Sequence, residues 1–313
     1  MEILVGAAIS LAGTCAWGQN PHANCNIAVV SNVLKSGAPI CDTKFVEQLA
    51  RSGHAYEQNQ MGLASLLVID PRYSDKEAVA WFQRAAERGY ASSQVNLAVM
   101  YINGWGTPVN FGAAQHWLRE AANQHFARAY FNLGILYLEG KGVRQDNNEA
   151  LRWFQKGAEA GDSSAQTNLG YMYDQGLGST RNIAMAAELY KKAAEAGNPL
   201  GENNLADLYL HGEGVPHDYA EAFKWFQKAA VQGQTGAQIK LGYLYANGQG
   251  TEMNLEAAYA WIKAAQVSGD NRGTEMLRSL ENKLGPKRLA EAREQASKLH
   301  LESPKTSLNR FSP

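Results

Sequence analysis

The stretch PLGENNLADLYLHGEGVPHDYAEAFKWFQKAAVQGQ, residues 199–234, decides the fold. Leu205 and Tyr209 stand four residues apart and share one helical face. Ala206 between them lets a neighbouring helix come close. Gly212 and Gly214 stop that helix, the first by taking a left-handed conformation that a side chain resists. Asp218 then offers a carboxylate oxygen to the free amides of a new helix. Trp225-Phe226 and Ala229-Ala230 give that second helix its packing face, and Gly233 ends it. The stretch is a helix A, a tight turn and a helix B.

Outward from this stretch the same pattern returns every 36 residues. Tryptophan falls at Trp81, Trp117, Trp153, Trp225 and Trp261, with Leu189 on the missing beat. Leucine falls at Leu97, Leu133, Leu169, Leu205 and Leu241, and tyrosine at Tyr101, Tyr137, Tyr173, Tyr209 and Tyr245. A capping column runs through Ser74, Asn110, Asp146, Asn182, Asp218 and Asn254, and Glu77, Glu149 and Glu221 complete capping boxes in three of them. These acids therefore have a local duty and are not catalytic carboxylates. Gly89, Gly161, Gly197, Gly233 and Gly269 end helix B, and His125 breaks that column. Gly197-Asn198-Pro199 is a complete stop and restart, with Asn as cap and Pro in the first helical position.

A fixed period of this length marks a stacked-repeat array. Six repeats follow: 55–90, 91–126, 127–162, 163–198, 199–234 and 235–270. The first is degenerate, with Val68 and Asp70 in the glycine positions and Ser65 in the tyrosine column. Residues 271–300 form helical caps divided at Gly285-Pro286, and 301–313 form a polar, disordered tail. Nothing in the array has the alternation of a strand. The fold class is all-α, an α/α solenoid of about six 36-residue helix-turn-helix repeats with helical caps.

The two ends and the composition bound the function. A formal charge of −1 over 313 residues gives no basic footprint for nucleic acid and no charged block for a membrane surface. Ile3 to Ala16 is apolar or small almost throughout, too short to span a bilayer, which needs roughly 20 residues. It resembles the core of a secretory signal, residues 1–18, cut before Gln19. Glu2 stands where a signal carries a basic residue, so an apolar capping helix or an upstream start is the other reading. In segment 19–54, Cys25 and Cys41 form a disulfide candidate for an oxidising compartment, or two separate thiols in a cytosolic protein. No metal-ligand pattern accompanies them. His211 and His217 flank the glycine turn six residues apart and read as solvated loop residues.

Leu-Gly-x-x-Tyr, Gly-x-Gly-Val, an Asp or Asn cap, Trp-Phe-x-Lys-Ala-Ala and a closing Gly together resemble the Sel-1-like repeat, across residues 55–270. That family is related to the tetratricopeptide repeats. The resemblance implies a right-handed superhelix used as a protein-binding scaffold, often exported in bacteria. By the same analogy, helix A positions free of packing line a concave surface. Here these are Val95, Val99, Ile102, Asn103, Arg128, Phe131, Ile135, Glu139, Thr167, Tyr171, Asp174, Asn203, Asp207, His211, Tyr243 and Asn247. The apolar members among them read equally well as core between helices.

The expected function is a non-enzymatic scaffold of the bacterial cell envelope, periplasmic or secreted, holding another protein or peptide. It requires no cofactor, catalytic set, nucleic acid or integral membrane span, and the pattern sets no oligomeric state. Two alternatives stand beside it. Cysteine-rich members of the family suggest a β-lactam or cell-wall-peptide binder or hydrolase, although this chain lacks their cysteine pair in each repeat. An uncleaved N-terminus would instead give a cytoplasmic regulatory scaffold.

Overall fold

The computed structural model describes residues 48, 50–66 and 74–299. The apolar N-terminal segment, Cys15, Cys25, Cys41, the turn at Val68 and Asp70, and the tail from 301 lie outside the described residues. Among the described residues there are thirteen helices and no strand. They divide into two compact bodies at residue 160. The N-terminal body holds α1 (Ala55–Leu66), α2 (Asp75–Glu87), α3 (Ala91–Asn103), α4 (Phe111–Asn123), α5 (Ala127–Glu139) and α6 (Asn147–Glu159). The C-terminal body holds α7 (Ser163–Gln175), α8 (Ile183–Glu195), α9 (Pro199–His211), α10 (Tyr219–Val231), α11 (Thr235–Asn247), α12 (Leu255–Val267) and α13 (Thr274–Lys298). Through α12, odd helices are A and even helices are B. In each body every helix packs on the next in sequence order.

Each helix B starts where a side chain feeds its first amides. Ser74, Asn110, Asp146, Asn182, Asp218 and Asn254 all accept from an amide two or three residues on. Each such cap is worth about 1 kcal/mol. The turn before it is clamped as well. The carbonyls of Tyr101, Tyr137, Tyr173, Tyr209 and Tyr245 accept from the amide of the capping residue at 2.8–3.0 Å. Glu221 turns forward, accepting from Trp225 Nε1 at 3.1 Å and Lys224 at 3.0 Å.

The paired glycines have different duties. Gly104, Gly140, Gly176, Gly212 and Gly248 end helix A in the left-handed conformation, φ 63–70°. Gly106, Gly142, Gly214 and Gly250, each second in its pair, are held by proximity too. A Cβ on Gly250 would strike the backbone of Tyr219, and one on Gly106 the backbone of Asp75, the latter the first residue of helix B in the preceding repeat. This glycine lets the turn of one repeat rest on the preceding one.

Inside each repeat, helix B presses a large side chain onto a small helix A residue. A Cβ on Gly134 would lie 2.6 Å from the Phe154 ring, and one on Gly170 2.8 Å from the Tyr190 ring. Phe82, Phe154 and Phe226 are completely buried, which stabilises each repeat by about 2 kcal/mol. The tryptophan before them sits shallower than its period suggests. Trp81 and Trp225 keep 8–9% exposure, while Trp117 and Trp153 are half-buried. Cations cover the outer ring faces: Arg84 over Trp81 at 4.7 Å, Lys156 over Trp153 at 4.6 Å and Lys228 over Trp225 at 4.1 Å.

Helix α13 closes the C-terminal body. Leu277, Leu280, Leu284 and Ala292 pack on Ala258, Tyr259 and Ile262 of α12. Arg288 grips both carboxylate oxygens of Glu256, holding that carboxyl below its usual range. At Gly285 the chain leaves helical geometry, φ 68° and ψ 169°, because the ring of Pro286 excludes the helical conformation there.

Candidate functional site

Helix A of the N-terminal body is packed nearly all round. Nine of the thirteen residues are buried in α3 and nine in α5. Val95, Val99 and Ile102 are 9% exposed or less, and Phe131 and Ile135 no more than 4%. The structure thus differs from an open apolar face at these five positions. A helix covered on several sides buries residues well outside a single i, i+4 stripe. Arg128 is half-buried with its guanidinium 5.3 Å from the Phe131 ring centre. Asn103 is exposed but bonds back to the Val99 carbonyl at 2.9 Å, and Glu139 pairs with Lys141 at 2.8 Å.

In the C-terminal body the corresponding helices bury six residues each. Thr167 and Asn203 are among them, at 1% and 7% exposure, and fall in the same buried column as Val95 and Phe131. Thr167 Oγ1 bonds the Ser163 carbonyl at 2.9 Å, and Asn203 Nδ2 bonds Asn204 Oδ1 at 3.1 Å. The remaining candidates are reachable. Tyr171, Asp174 and Asp207 are half-buried, whereas His211, Tyr243 and Asn247 are exposed.

Charged partners tie these side chains to the scaffold. Lys240 of α11 reaches across to Asp207 of α9. Arg181, in the turn after α7, donates to the Asp174 carbonyl at 2.8 Å and lies 3.5 Å from its carboxylate and 3.4 Å from Glu213. His211 Nδ1 lies 2.9 Å from the Asp207 carbonyl, and the His217 ring meets Tyr219 edge-on at 4.3 Å. Among the described residues no three His, Cys, Asp or Glu side chains gather closely enough to hold a metal ion. No helix among them is long and apolar enough to cross a membrane.

One residue under this face escaped the column reading. Tyr190 of α8 occupies the position filled by Phe82, Phe154 and Phe226 elsewhere. Its ring packs over Gly170, and its hydroxyl faces the Asn204 side chain. Burial pushes that hydroxyl far above the ordinary tyrosine range, and Asp174, Tyr171 and Asp207 add to the shift. It is fixed as a neutral group beneath the two acids. The signal was present in the sequence as the single tyrosine of its column.

The Sel1 repeat family model matches residues 69–90, 91–126, 127–162, 163–198, 199–234 and 235–265. Among solved structures, the chain is similar to a protective antigen present in uropathogenic Escherichia coli strains that displays an SLR fold. Identity is 31% and the TM-score 0.65, over 82% of this chain and 56% of the antigen, so the chain spans just over half of that relative. A Sel1 repeat protein from Oxalobacter formigenes is 30% identical with a TM-score of 0.63, over 77% of this chain and 96% of that one. An immunity protein from Pseudomonas aeruginosa has the same fold at 17% identity and a TM-score of 0.51, over 68% of this chain and 81% of its own. No curated protein matches the chain.

Proposed function

Because the chain belongs to the Sel1 repeat family, whose repeats generally mediate protein interactions, we propose that it is a non-enzymatic scaffold of the bacterial cell envelope. It holds a protein or peptide segment on the helix A side chains of its C-terminal body. One observation carries this reading. Three successive A helices, α7, α9 and α11, leave Tyr171, Asp207 and Tyr243 accessible at one repeat position, with Asp174, His211 and Asn247 beside them. Tyrosine faces alternating with hydrogen-bonding groups suit a polar, extended segment, and a deep apolar anchor is no part of the fit.

The envelope half of the proposal rests on the apolar run Ile3 to Ala16 and on Cys25 and Cys41. Mass spectrometry of the protein recovered from its native cells tests it. A mature chain beginning at Gln19 is the expected result, and an intact Met1 counts against export. For binding, a photo-cross-linking residue at position 243 is exposed to envelope extract. The expected product is a saturable adduct, competed by unlabelled protein and lost in Tyr171→Ala with Asp207→Ala. Indifference to that double substitution overturns the assigned surface.

A further inference from the structure

One repeat carries an acid where its neighbours carry an amide. The fourth residue of each helix A is Gln58, Gln94, Tyr130, Gln166, Glu202 or Gln238. Four of these donate to the carbonyl eight residues earlier, which for Gln94, Tyr130 and Gln238 lies near the end of the preceding helix B. Gln58 Nε2 reaches the Ala50 carbonyl at 3.0 Å, Gln94 Nε2 that of Ala86 at 3.2 Å, Tyr130 Oη that of Ala122 at 3.2 Å, and Gln238 Nε2 that of Ala230 at 3.1 Å. This bond fastens one repeat to the next.

Glu202 shares its amide partner with Gln94. Gln94 Oε1 accepts from Gln124 Nε2 at 2.9 Å, and Glu202 Oε2 accepts from Gln232 Nε2 at 2.8 Å, each partner 30 residues on. Glu202 is only 3% exposed. With one oxygen engaged by Gln232, the column assigns the other the place where the amide nitrogens of Gln94 and Gln238 meet the carbonyl eight residues earlier, here that of Ala194. Two oxygens can share that position only if one of them carries a proton.

We propose that Glu202 is held as the neutral acid, donating to the Ala194 carbonyl, and that its ionisation loosens the joint between α8 and α9. Burial pushes the carboxyl up to about 7 from an ordinary 4.5. Two groups act the other way, the Lys228 ammonium of α10 and then the amide of Gln232, which caps that helix. Helices α7 and α8 also pack on α9. Among the described residues they set no charged group against the carboxyl; Lys192 and Glu195 at the end of α8 are exposed. The folded-state value lies above the unfolded one. The neutral-acid contribution is therefore complete below about pH 4.5, and falls away as pH rises through about 7. The joint is tight in mild acid and slack in mild alkali.

The test compares wild type with Glu202→Gln in urea unfolding at pH 4.5, 6, 7 and 8.5. The variant folds, since glutamine serves at this position in four other repeats. Any other titration is common to both proteins and cancels in the difference. The expected result is near-equal stability at pH 4.5, with the variant's folded-to-unfolded ratio gaining about tenfold or more by pH 8.5. A difference that stays constant with pH overturns the proposal. Carbon-13 NMR of the Glu202 carboxyl gives an independent reading. A midpoint between pH 6 and 8 supports the switch, and one near 4.5 removes it.

Discussion

Helix α5 and helix α9 descend from one pattern and end up in different states. At the positions following the packing leucine, α5 has Ile135 and Leu138, both buried, whereas α9 has Asp207 and Leu210, both partly open. The neighbours repeat the contrast: Val99 and Ile102 in α3 are buried, while Tyr171 and Asp174 in α7 are not. Side-chain chemistry follows the environment, branched aliphatics where water is excluded and polar or phenolic groups where it is not. A shared repeat thus fixes the frame, and each body sets its own surface.

The contrast is broken most violently by charge. Phe131→Glu in α5 places a carboxylate where exposure is 2%, and should destabilise the N-terminal body by about 4 kcal/mol or more. Tyr243→Glu in α11, at 43% exposure, should cost no more than about 0.5 kcal/mol. Urea unfolding of both variants checks the pair. Comparable losses would mean that the two bodies do not differ as their burial says.

Helix starts give a second, smaller contrast. In the N-terminal body α3 and α5 begin at Tyr90 and Phe126 with no side-chain cap, whereas α7, α9 and α11 begin at Asp162, Asn198 and Gln234, each accepting backbone amides. Asn198 takes two, from Leu200 at 3.1 Å and Gly201 at 2.9 Å. Asn198→Ala should cost about 1–2 kcal/mol and speed hydrogen exchange at those two amides. Unchanged exchange would show that packing alone holds the start of α9.

The buried hydroxyl can be moved between bodies. Tyr190→Phe removes the buried hydroxyl that faces the Asn204 side chain and should cost about 1 kcal/mol. In the N-terminal body the equivalent of Asn204 is Asn96, whose Oδ1 is buried without a hydrogen bond, and the equivalent of Tyr190 is Phe82. Phe82→Tyr therefore brings a donor to a waiting acceptor, and should be neutral or stabilise by up to about 1 kcal/mol. Thermal unfolding distinguishes this from the loss expected of a hydroxyl buried without a partner.

What the sequence made legible was whatever recurs for a single physical reason. Gly104 and its counterparts need a left-handed φ, and Asp218 and its counterparts must satisfy free amides, so both columns announce helix ends without any knowledge of packing. Burial at Val99 and Ile135 depends on how many sides of helix A are covered, and periodicity along one helix carries no record of that. Tyr190 and Glu202 were hidden in the opposite way. Each is a single departure within its column, a tyrosine among Phe, Leu and Ile and a carboxylate among Gln and Tyr, and the repeat around it gives the departure no mark of its own.

The smallest expected change in stability is the most informative about binding. Tyr243 is exposed, and its hydroxyl makes no hydrogen bond among the described residues; the Asn247 side chain bonds only its backbone carbonyl, at 2.9 Å. Tyr243→Ala should therefore leave the unfolding midpoint within about 0.5 kcal/mol of wild type. If the open columns of α7, α9 and α11 hold a partner, the same substitution removes one aromatic face from the contact, and aromatic anchors are enriched among residues costing about 2 kcal/mol or more when truncated. Binding should fall by an order of magnitude or more while folding stays intact. A matched control is Val109→Ala in the N-terminal body, a residue with 53% exposure on the turn before α4 and outside the open columns. Equal effects of the two substitutions on partner capture would erase the functional difference between the bodies and leave only the difference in packing.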